Sequence, residues 1–365
     1  MQEIETDTLR QWLEDGLPVS VLDIRTPEDR EQWSIPESLH LNAYERLKAG
    51  DPDALAGAEL PTNRPVVTIC NAGKVSGLAA EQLRKRGIDA YSLAGGMKSW
   101  SLSWNTAELA LGGATVVQVR RTGKGCLSYL IGSGSEAVVI DASLDPAVYL
   151  RLAAQHGWSI RYVLDTHIQA DHLSRSRALG EAAGAKLLLP AQDRVRFAFI
   201  PIEEGQVIAF GEARIRTIST PGHTMESTCY DLNGQMLFTG DTLFLSGVGR
   251  PDLHASTDEA RERAGILYRS LRRLCDFPSS TLVLPGHTPQ PVPFDRKPVC
   301  DQLGQIATRI ASWLNNETDF VRTILARIPP TPPNFPRIVE LNEAGVLPEG
   351  DLTDLEAGAN RCAVS

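Results

Sequence analysis

The residues best suited to chemistry lie in Asp165-Thr166-His167-Ile168-Gln169-Ala170-Asp171-His172. This stretch follows the apolar run Tyr162-Val163-Leu164 and precedes a helical pattern from Leu173 to Ala183. Metal sites favour such a strand-to-helix junction, because the strand fixes the ligands while the loop leaves one side open. Three later segments each set one further ligand beside a glycine after an apolar run: Thr220-Pro221-Gly222-His223, Thr239-Gly240-Asp241-Thr242 and Leu284-Pro285-Gly286-His287. Gln169 is out of pattern, standing where a fuller metal site would carry another histidine.

A second centre is Cys70, in the loop Cys70-Asn71-Ala72-Gly73-Lys74-Val75-Ser76. It follows the apolar run Pro65–Ile69 and opens a helical pattern from Ser76 to Arg86, with Leu78, Ala79 and Leu83 on one face. Successive backbone N–H groups in such a loop converge on the sulfur, and Lys74 adds a cation, a setting that favours a reactive thiolate. The plainer role for a free cysteine is that of a small core hydrophobe.

Around Cys70, strands at Val19–Ile24, Pro65–Ile69 and Ala90–Leu93 alternate with helices, beginning with Thr8–Glu14, which implies a parallel α/β sheet flanked by helices. From Ala114 the pattern becomes successive strands with Gly-rich turns, then strands interleaved with helices. That alternation fits two sheets covered by helices, an α+β αββα sandwich. The division reads as residues 1–105, a linker at 106–113 ending in Gly112-Gly113, and 114–365. The linker is short and poor in proline, so the domains are expected to touch.

With 365 residues, the chain is long enough for two cores. A hydrophobic content of 42% and a charged content of 22% are those of a globular protein, and no apolar run approaches the ~20 residues of a membrane span. The net charge of -9 argues against nucleic acid as a partner. The acidic start, Met1 to Asp7, lacks the order of a secretory signal, and the six scattered cysteines form no CxxC pair. A cytoplasmic location with reduced thiols is expected. A homo-oligomer remains compatible with all of this.

Leu22-Asp23-Ile24-Arg25, Ile35-Pro36-Glu37-Ser38-Leu39-His40, the Cys70 loop and Leu93-Ala94-Gly95-Gly96-Met97-Lys98-Ser99-Trp100 together resemble a single-domain rhodanese. The resemblance implies that Cys70 carries a persulfide between donor and acceptor, cradled by Asn71, Ala72, Gly73, Lys74, Val75 and Ser76. Asn71 and Val75 stand where many rhodaneses have arginines, leaving Lys74 as the loop's only cation.

The order His-x-Gln-x-Asp-His, then His, Asp and His, resembles the metallo-β-lactamase superfamily. Hydrolases of that superfamily, such as glyoxalase II, hold two zinc ions. Gln169 supplies an amide oxygen where an imidazole would be, so the chain is better matched to one metal held by His167, His223 and Asp241. Two histidines and one carboxylate form the facial triad of non-haem Fe(II) oxygenases, with open positions for substrate and O2. On this reading the histidine missing at 169 belongs to a second metal that the chemistry does not use.

Gly249-Arg250-Pro251-Asp252-Leu253 and the tail segments Ile328–Pro336 and Asn360-Arg361-Cys362 resemble persulfide dioxygenases. That resemblance implies one mononuclear Fe(II), with glutathione persulfide and O2 as substrates and with sulfite and glutathione as products. Asp171, His172, His287 and Gln169 would then orient the ligands from behind, and Arg250 would stabilise the anionic substrate. Cys70 would exchange sulfane sulfur among thiosulfate, sulfite and glutathione persulfide. Pro289 stands where some members have a tyrosine, so the grip on the thiol carrier is left open. The rival expectation is a zinc-dependent, glyoxalase II-type thioester hydrolase fused to a sulfur-carrier domain. His40, His156 and His254 are expected to be ordinary polar side chains.

Overall fold

The computed structural model describes residues 2–332, 334–358 and 360–365. Met1 and Pro333, both inside stretches read above, and Ala359 lie outside the described residues.

The first domain is a five-stranded, all-parallel sheet in the order Glu3–Ile4, Ala90–Leu93, Val66–Ile69, Ser20–Asp23, Leu39–His40. Successive residues of its central strands feed opposite faces. Leu22 and Val66 pack with Leu47, Val75, Ala79 and Leu83, whereas Val21 and Val67 pack with Leu9, Trp33 and Trp100. Burial on both faces explains why these strands read as unbroken apolar runs. The helix after Cys70 runs Lys74–Lys85, beginning before the expected Ser76, because Gly73 at φ +84 turns the loop directly into the helix.

The second domain stacks two sheets. The first, in the order Ile200–Ile202, Lys186–Pro190, Ser159–Leu164, Glu136–Ile140, Leu127–Ser133, Ala114–Arg120, Asn105–Leu111, is parallel at one end and antiparallel at the other. The second runs Val207–Phe210, Ala213–Ser219, Thr228–Leu232, Met236–Gly240, Leu282–Pro285, Asp301–Gln302. Val116, Tyr129, Ile131 and Val138 from one sheet interdigitate with Phe210, Ile215, Tyr230 and Phe238 from the other. Helices Pro146–Gln155 and Ser176–Ala183 cover the outer face of the first sheet, and Thr257–Leu274, Leu303–Ile310 and Glu317–Ala326 cover that of the second. None of the described helices is long and apolar enough to cross a membrane.

Two expectations are corrected. Residues 106–113 are no linker: Asn105–Leu111 is the outer strand of the first sheet, paired antiparallel with Ala114–Arg120. Gly112 (φ +64) and Gly113 (φ +79) form the two-residue hairpin turn between them. Its Ala, Leu and Glu content favours helix locally, and sheet pairing overrides that preference. The helix expected from Leu173 begins at Ser176, because residues up to Arg175 are drawn into a buried ion network.

At the centre of that network Glu356, fully buried, accepts from Arg175 Nη1 (2.6 Å), Arg175 Nη2 (2.8 Å), the Leu173 N–H (2.7 Å) and Arg121 Nη1 (3.5 Å). Arg121 also donates to the Ser101 carbonyl of the first domain (3.1 and 3.0 Å). Trp33 Nε1 donates to the Thr122 carbonyl (2.9 Å), and Lys98 pairs with Asp354 (2.6 Å), so the two domains are docked.

Burial alone would raise the Glu356 pKa, but Arg121 and Arg175 outweigh it and hold the carboxyl down at about 2. A depressed folded-state pKa stabilises the fold above the unfolded value of roughly 4 and loses that contribution as pH falls toward the folded one. Replacing Glu356 by Gln strands two buried guanidinium groups and is expected to cost about 3–5 kcal/mol at pH 7. Denaturant unfolding should show the gap from the native chain narrowing as pH drops from about 4 to about 2.

Candidate metal centre and sulfur loop

Asp241 and His287 sit just past the C-terminal ends of two adjacent parallel strands, Met236–Gly240 and Leu282–Pro285. His167 follows the strand Ser159–Leu164 of the facing sheet, so loops from both sheets meet at one edge of the sandwich. The glycines make the approach close enough. A Cβ on Gly286 would lie 2.8 Å from Asp241 Oδ1, and one on Gly249 would meet the Asp241 carbonyl at 2.1 Å.

His167 Nε2 lies 3.8 Å and His223 Nε2 3.7 Å from Asp241 Oδ2, all three side chains being buried. Among the described residues none of these three atoms has a hydrogen-bond partner, whereas the other polar atom of each side chain does. His223 Nδ1 donates to the Arg250 carbonyl (2.7 Å), which leaves a lone pair on Nε2. Thr166 Oγ1 donates to Asp141 (2.9 Å) and so accepts from His167 Nδ1 (2.9 Å), with the same result. Asp241 Oδ1 is held by His287 Nδ1 at 2.6 Å.

Burial pushes the His167 imidazole down to about 3, so it is neutral and able to donate its lone pair. Burial opposes ionisation of Asp241, but His287, foremost among its neighbours, keeps the carboxyl well below the usual range. Two imidazole nitrogens and one carboxylate oxygen, buried, unpartnered and within 4.8 Å of one another, fit a divalent cation.

A second group lies alongside: Cys126 Sγ, Asp171, His172 and His287, also mutually within 4.8 Å and buried. Asp171 bridges His172 Nδ1 (3.0 Å) and His287 Nε2 (3.0 Å), while Cys126 Sγ is 3.7 Å from Asp171 Oδ2. His287 thus stands between Asp241 and Asp171, its Nδ1 on the first and its Nε2 beside the second. His172 faces Cys126 and Asp171, not the three-atom group.

Gln169 turns its amide nitrogen to Asp141 Oδ1 (3.2 Å), behind His167. The group Cys126, Asp171, His172 and His287 comes together without position 169.

Arg250 is corrected as well. Its guanidinium is fully buried, pairs with Asp252 (2.7 and 2.8 Å) and donates to the carbonyls of Pro330 (3.2 Å) and Arg361 (3.1 Å). Those contacts occupy the fork that was expected to bind substrate. Arg250 acts instead through its backbone carbonyl on His223, and its side chain ties the tail to the metal loop.

Asp141 and Cys126 were not singled out from the sequence. Asp141 carried one signal, a carboxylate directly after the apolar strand Glu136–Ile140, where it adopts φ +54. Cys126 carried none, since its neighbours His172 and His287 are distant in sequence.

In the first domain Cys70 is buried, and its Sγ accepts from the N–H groups of Gly73 (3.2 Å) and Ser76 (3.4 Å) and lies 3.3 Å from Ser76 Oγ. The helix Gly96–Trp100 backs the loop, with Met97 N–H on the Cys70 carbonyl (2.8 Å) and Lys98 N–H on that of Asn71 (3.0 Å). Asn71 binds Asp29 (2.9 Å), Val75 is in the core, and Lys74 is exposed.

Two cavities flank the three-atom group, one of about 400 Å³ lined by His167 and Gln169 and one of about 440 Å³ lined by His223. A third candidate group, Asp241, His287 and Cys362, overlaps the first two, and His40, His156 and His254 lie outside all three.

Comparison with known proteins matches residues 5–103 to the rhodanese-like domain and residues 121–287 to the metallo-beta-lactamase superfamily. A hydroxyacylglutathione hydrolase of Maricaulis maris (strain MCS10) is 36% identical over 155 residues, covering 42% of this chain and 57% of that protein. Another from Rhodospirillum rubrum is 38% identical over 152 residues, 41% of this chain and 56% of that protein. The chain thus spans little more than half the length of these curated relatives.

Among solved structures, ETHE1 from Myxococcus xanthus superposes with a TM-score of 0.55 at 28% identity, over 63% of this chain and 98% of that one. A metallo-beta-lactamase from Staphylococcus aureus subsp. aureus COL gives 0.57 at 25% identity, over 65% and 74%. The chain is a fusion of an N-terminal rhodanese-like domain with a C-terminal domain of the metallo-beta-lactamase superfamily.

Proposed function

We propose that the chain is a two-part sulfur-processing enzyme. Its second domain would use one Fe(II) to oxidise glutathione persulfide with O2 to sulfite and glutathione. Its first would exchange sulfane sulfur through Cys70. The observation that carries the reading is the convergence of three unpartnered buried atoms, His167 Nε2, His223 Nε2 and Asp241 Oδ2. Two imidazoles and one carboxylate are the donor set of non-haem iron oxygenases. Bound there, iron supplies the redox chemistry that oxidation of sulfur by O2 requires.

The chain's own part is to hold those atoms. Thr166 and the Arg250 carbonyl fix both imidazole tautomers, and His287, steadied by Asp171, fixes Asp241. The persulfide would enter through one of the two cavities, which are lined by His167 and by His223 respectively. The overall reaction balances with one water: persulfide, O2 and water give thiol, sulfite and two protons. At Cys70 the thiolate attacks the outer sulfur of thiosulfate, the S–S bond breaks, and sulfite leaves with the electron pair. The Gly73 and Ser76 N–H groups hold the sulfur, and the Cys70 persulfide then passes its outer sulfur to a glutathione thiolate.

A second reading is favoured by the intact group Cys126, Asp171, His172 and His287 and by the hydroxyacylglutathione hydrolase relatives. It makes the second domain a zinc-dependent thioester hydrolase holding two metals. Metal analysis separates the two readings. One iron per chain with persulfide-dependent O2 uptake is expected, and two zinc ions with thioester hydrolysis and no O2 uptake would overturn the proposal.

Asp241→Ala should lower iron affinity by more than about a hundredfold, exceeding the loss typical of residues one layer further out. Retained dioxygenase activity in that variant would remove the ligand assignment. Cys70→Ser should abolish thiosulfate-to-glutathione sulfur transfer while O2 uptake with added glutathione persulfide continues. Loss of both activities would show that the two centres do not work separately.

A further inference from the structure

The cavity beside His223 differs from the one beside His167 in the state of its cations. In the His167 cavity Arg177 is engaged by Glu181 (3.0 Å) and the Gly345 carbonyl (3.2 Å) and lies over the Phe197 ring. In the His223 cavity Arg194 is engaged twice, by Glu343 (2.9 and 2.8 Å) and by Glu226 (3.5 Å). Glu340, on the same wall, is paired with Arg337 (2.7 Å).

Arg263 is the exception. It lies on the helix Thr257–Leu274, is half-buried and lines this cavity together with His223. One of its N–H groups donates to the Leu253 carbonyl (3.0 Å), and no carboxylate among the described residues lies within 4 Å of it. The carboxylate one turn earlier, Glu259, is turned back to the Ser256 N–H (2.7 Å) in the cap of the helix. A guanidinium in this position keeps most of its planar donor fork unused, and the ligand that fork matches best is a carboxylate.

We propose that Arg263 anchors a carboxylate of the thiol carrier in the His223 cavity, so that the enzyme selects anionic, peptide-like thiols over neutral ones. The inference rests on the persulfide reading above, which it deepens by naming how the carrier is held. Leu253 fixes one edge of the guanidinium and leaves the others to the ligand. The carrier's sulfur then lies toward His223 and its carboxylate toward the helix. Arg194 is shared by Glu226 and Glu343 and Arg337 pairs with Glu340, which leaves Arg263 as the cation of this wall that is open to the carrier.

The test uses the full chain and two readouts. The first is calorimetric binding of S-methylglutathione, which keeps both carboxylates but has no reactive thiol. Arg263→Ala should weaken binding by about tenfold or more, as loss of a charge-assisted contact does, and Arg263→Lys should recover part of it. The second is the ratio of kcat/KM for glutathione persulfide to that for the persulfide of 2-mercaptoethanol, a neutral carrier. That ratio should fall by a similar factor in Arg263→Ala, through KM.

Unchanged S-methylglutathione binding in Arg263→Ala, no binding by the native chain, or an unchanged ratio would each overturn the anchor. If the native chain takes up O2 with persulfide but Arg263→Ala changes neither readout, the anchor fails and the dioxygenase reading stands. If O2 uptake is absent yet the variant loses S-methylglutathione binding, the dioxygenase reading fails and the anchor stands.

Discussion

A single buried carboxylate, Glu356, joins the metal loop, the first sheet of the second domain and, through Arg121, the first domain. It lies near the end of the chain, sealed from solvent between Arg121 and Arg175, and it also accepts the Leu173 N–H. Burying three ionised groups is costly unless every donor is met. Here Arg121 spends its remaining donors on the Ser101 and Ser143 carbonyls. The metal loop, the first sheet and the first domain are thereby tied to the same point.

The rest of the tail works in the same direction. Asn342 donates to the carbonyls of both Gln169 and His172 (2.9 Å each), and Arg250 holds the Pro330 and Arg361 carbonyls. Val248–Gly249, beside the metal loop, pairs with Ala363–Val364. The loop 165–172 carries two histidines and two acids. It becomes a rigid ligand carrier because groups more than a hundred residues away satisfy its backbone.

The same economy shapes the two reactive centres. Around the three-atom group every other polar atom of the ligand side chains is committed, so only the atoms that would face a cation are left over. Around Cys70 the backbone N–H groups of Gly73 and Ser76 supply donors, and among the described residues no side-chain cation does. The helix Gly96–Trp100 both backs that loop and, through Lys98 and the following Ser101, touches the tail and Arg121. Docking of the domains and shaping of the sulfur loop are thus one packing problem.

By itself the amino-acid sequence determined the two-domain plan, the parallel sheet around Cys70, the sandwich and the residues eligible to bind a metal. These rest on local information: periodicity of two or 3.6 residues, glycines at forced turns, and ligands placed at strand ends. Tertiary structure alone decided which of those residues meet, and with what. Arg250 is eligible on sequence for substrate binding but is consumed by Asp252 and the tail. Asn105–Leu111 has helix-favouring residues yet is a strand because Ala114–Arg120 lies beside it. Gln169 looks like a defect in a metal motif on sequence, whereas in the fold Asp141 holds its amide, and Arg263 stands out only because no carboxylate among the described residues pairs with it. A side chain's partners are set by packing between segments far apart in the chain, and no local pattern encodes them.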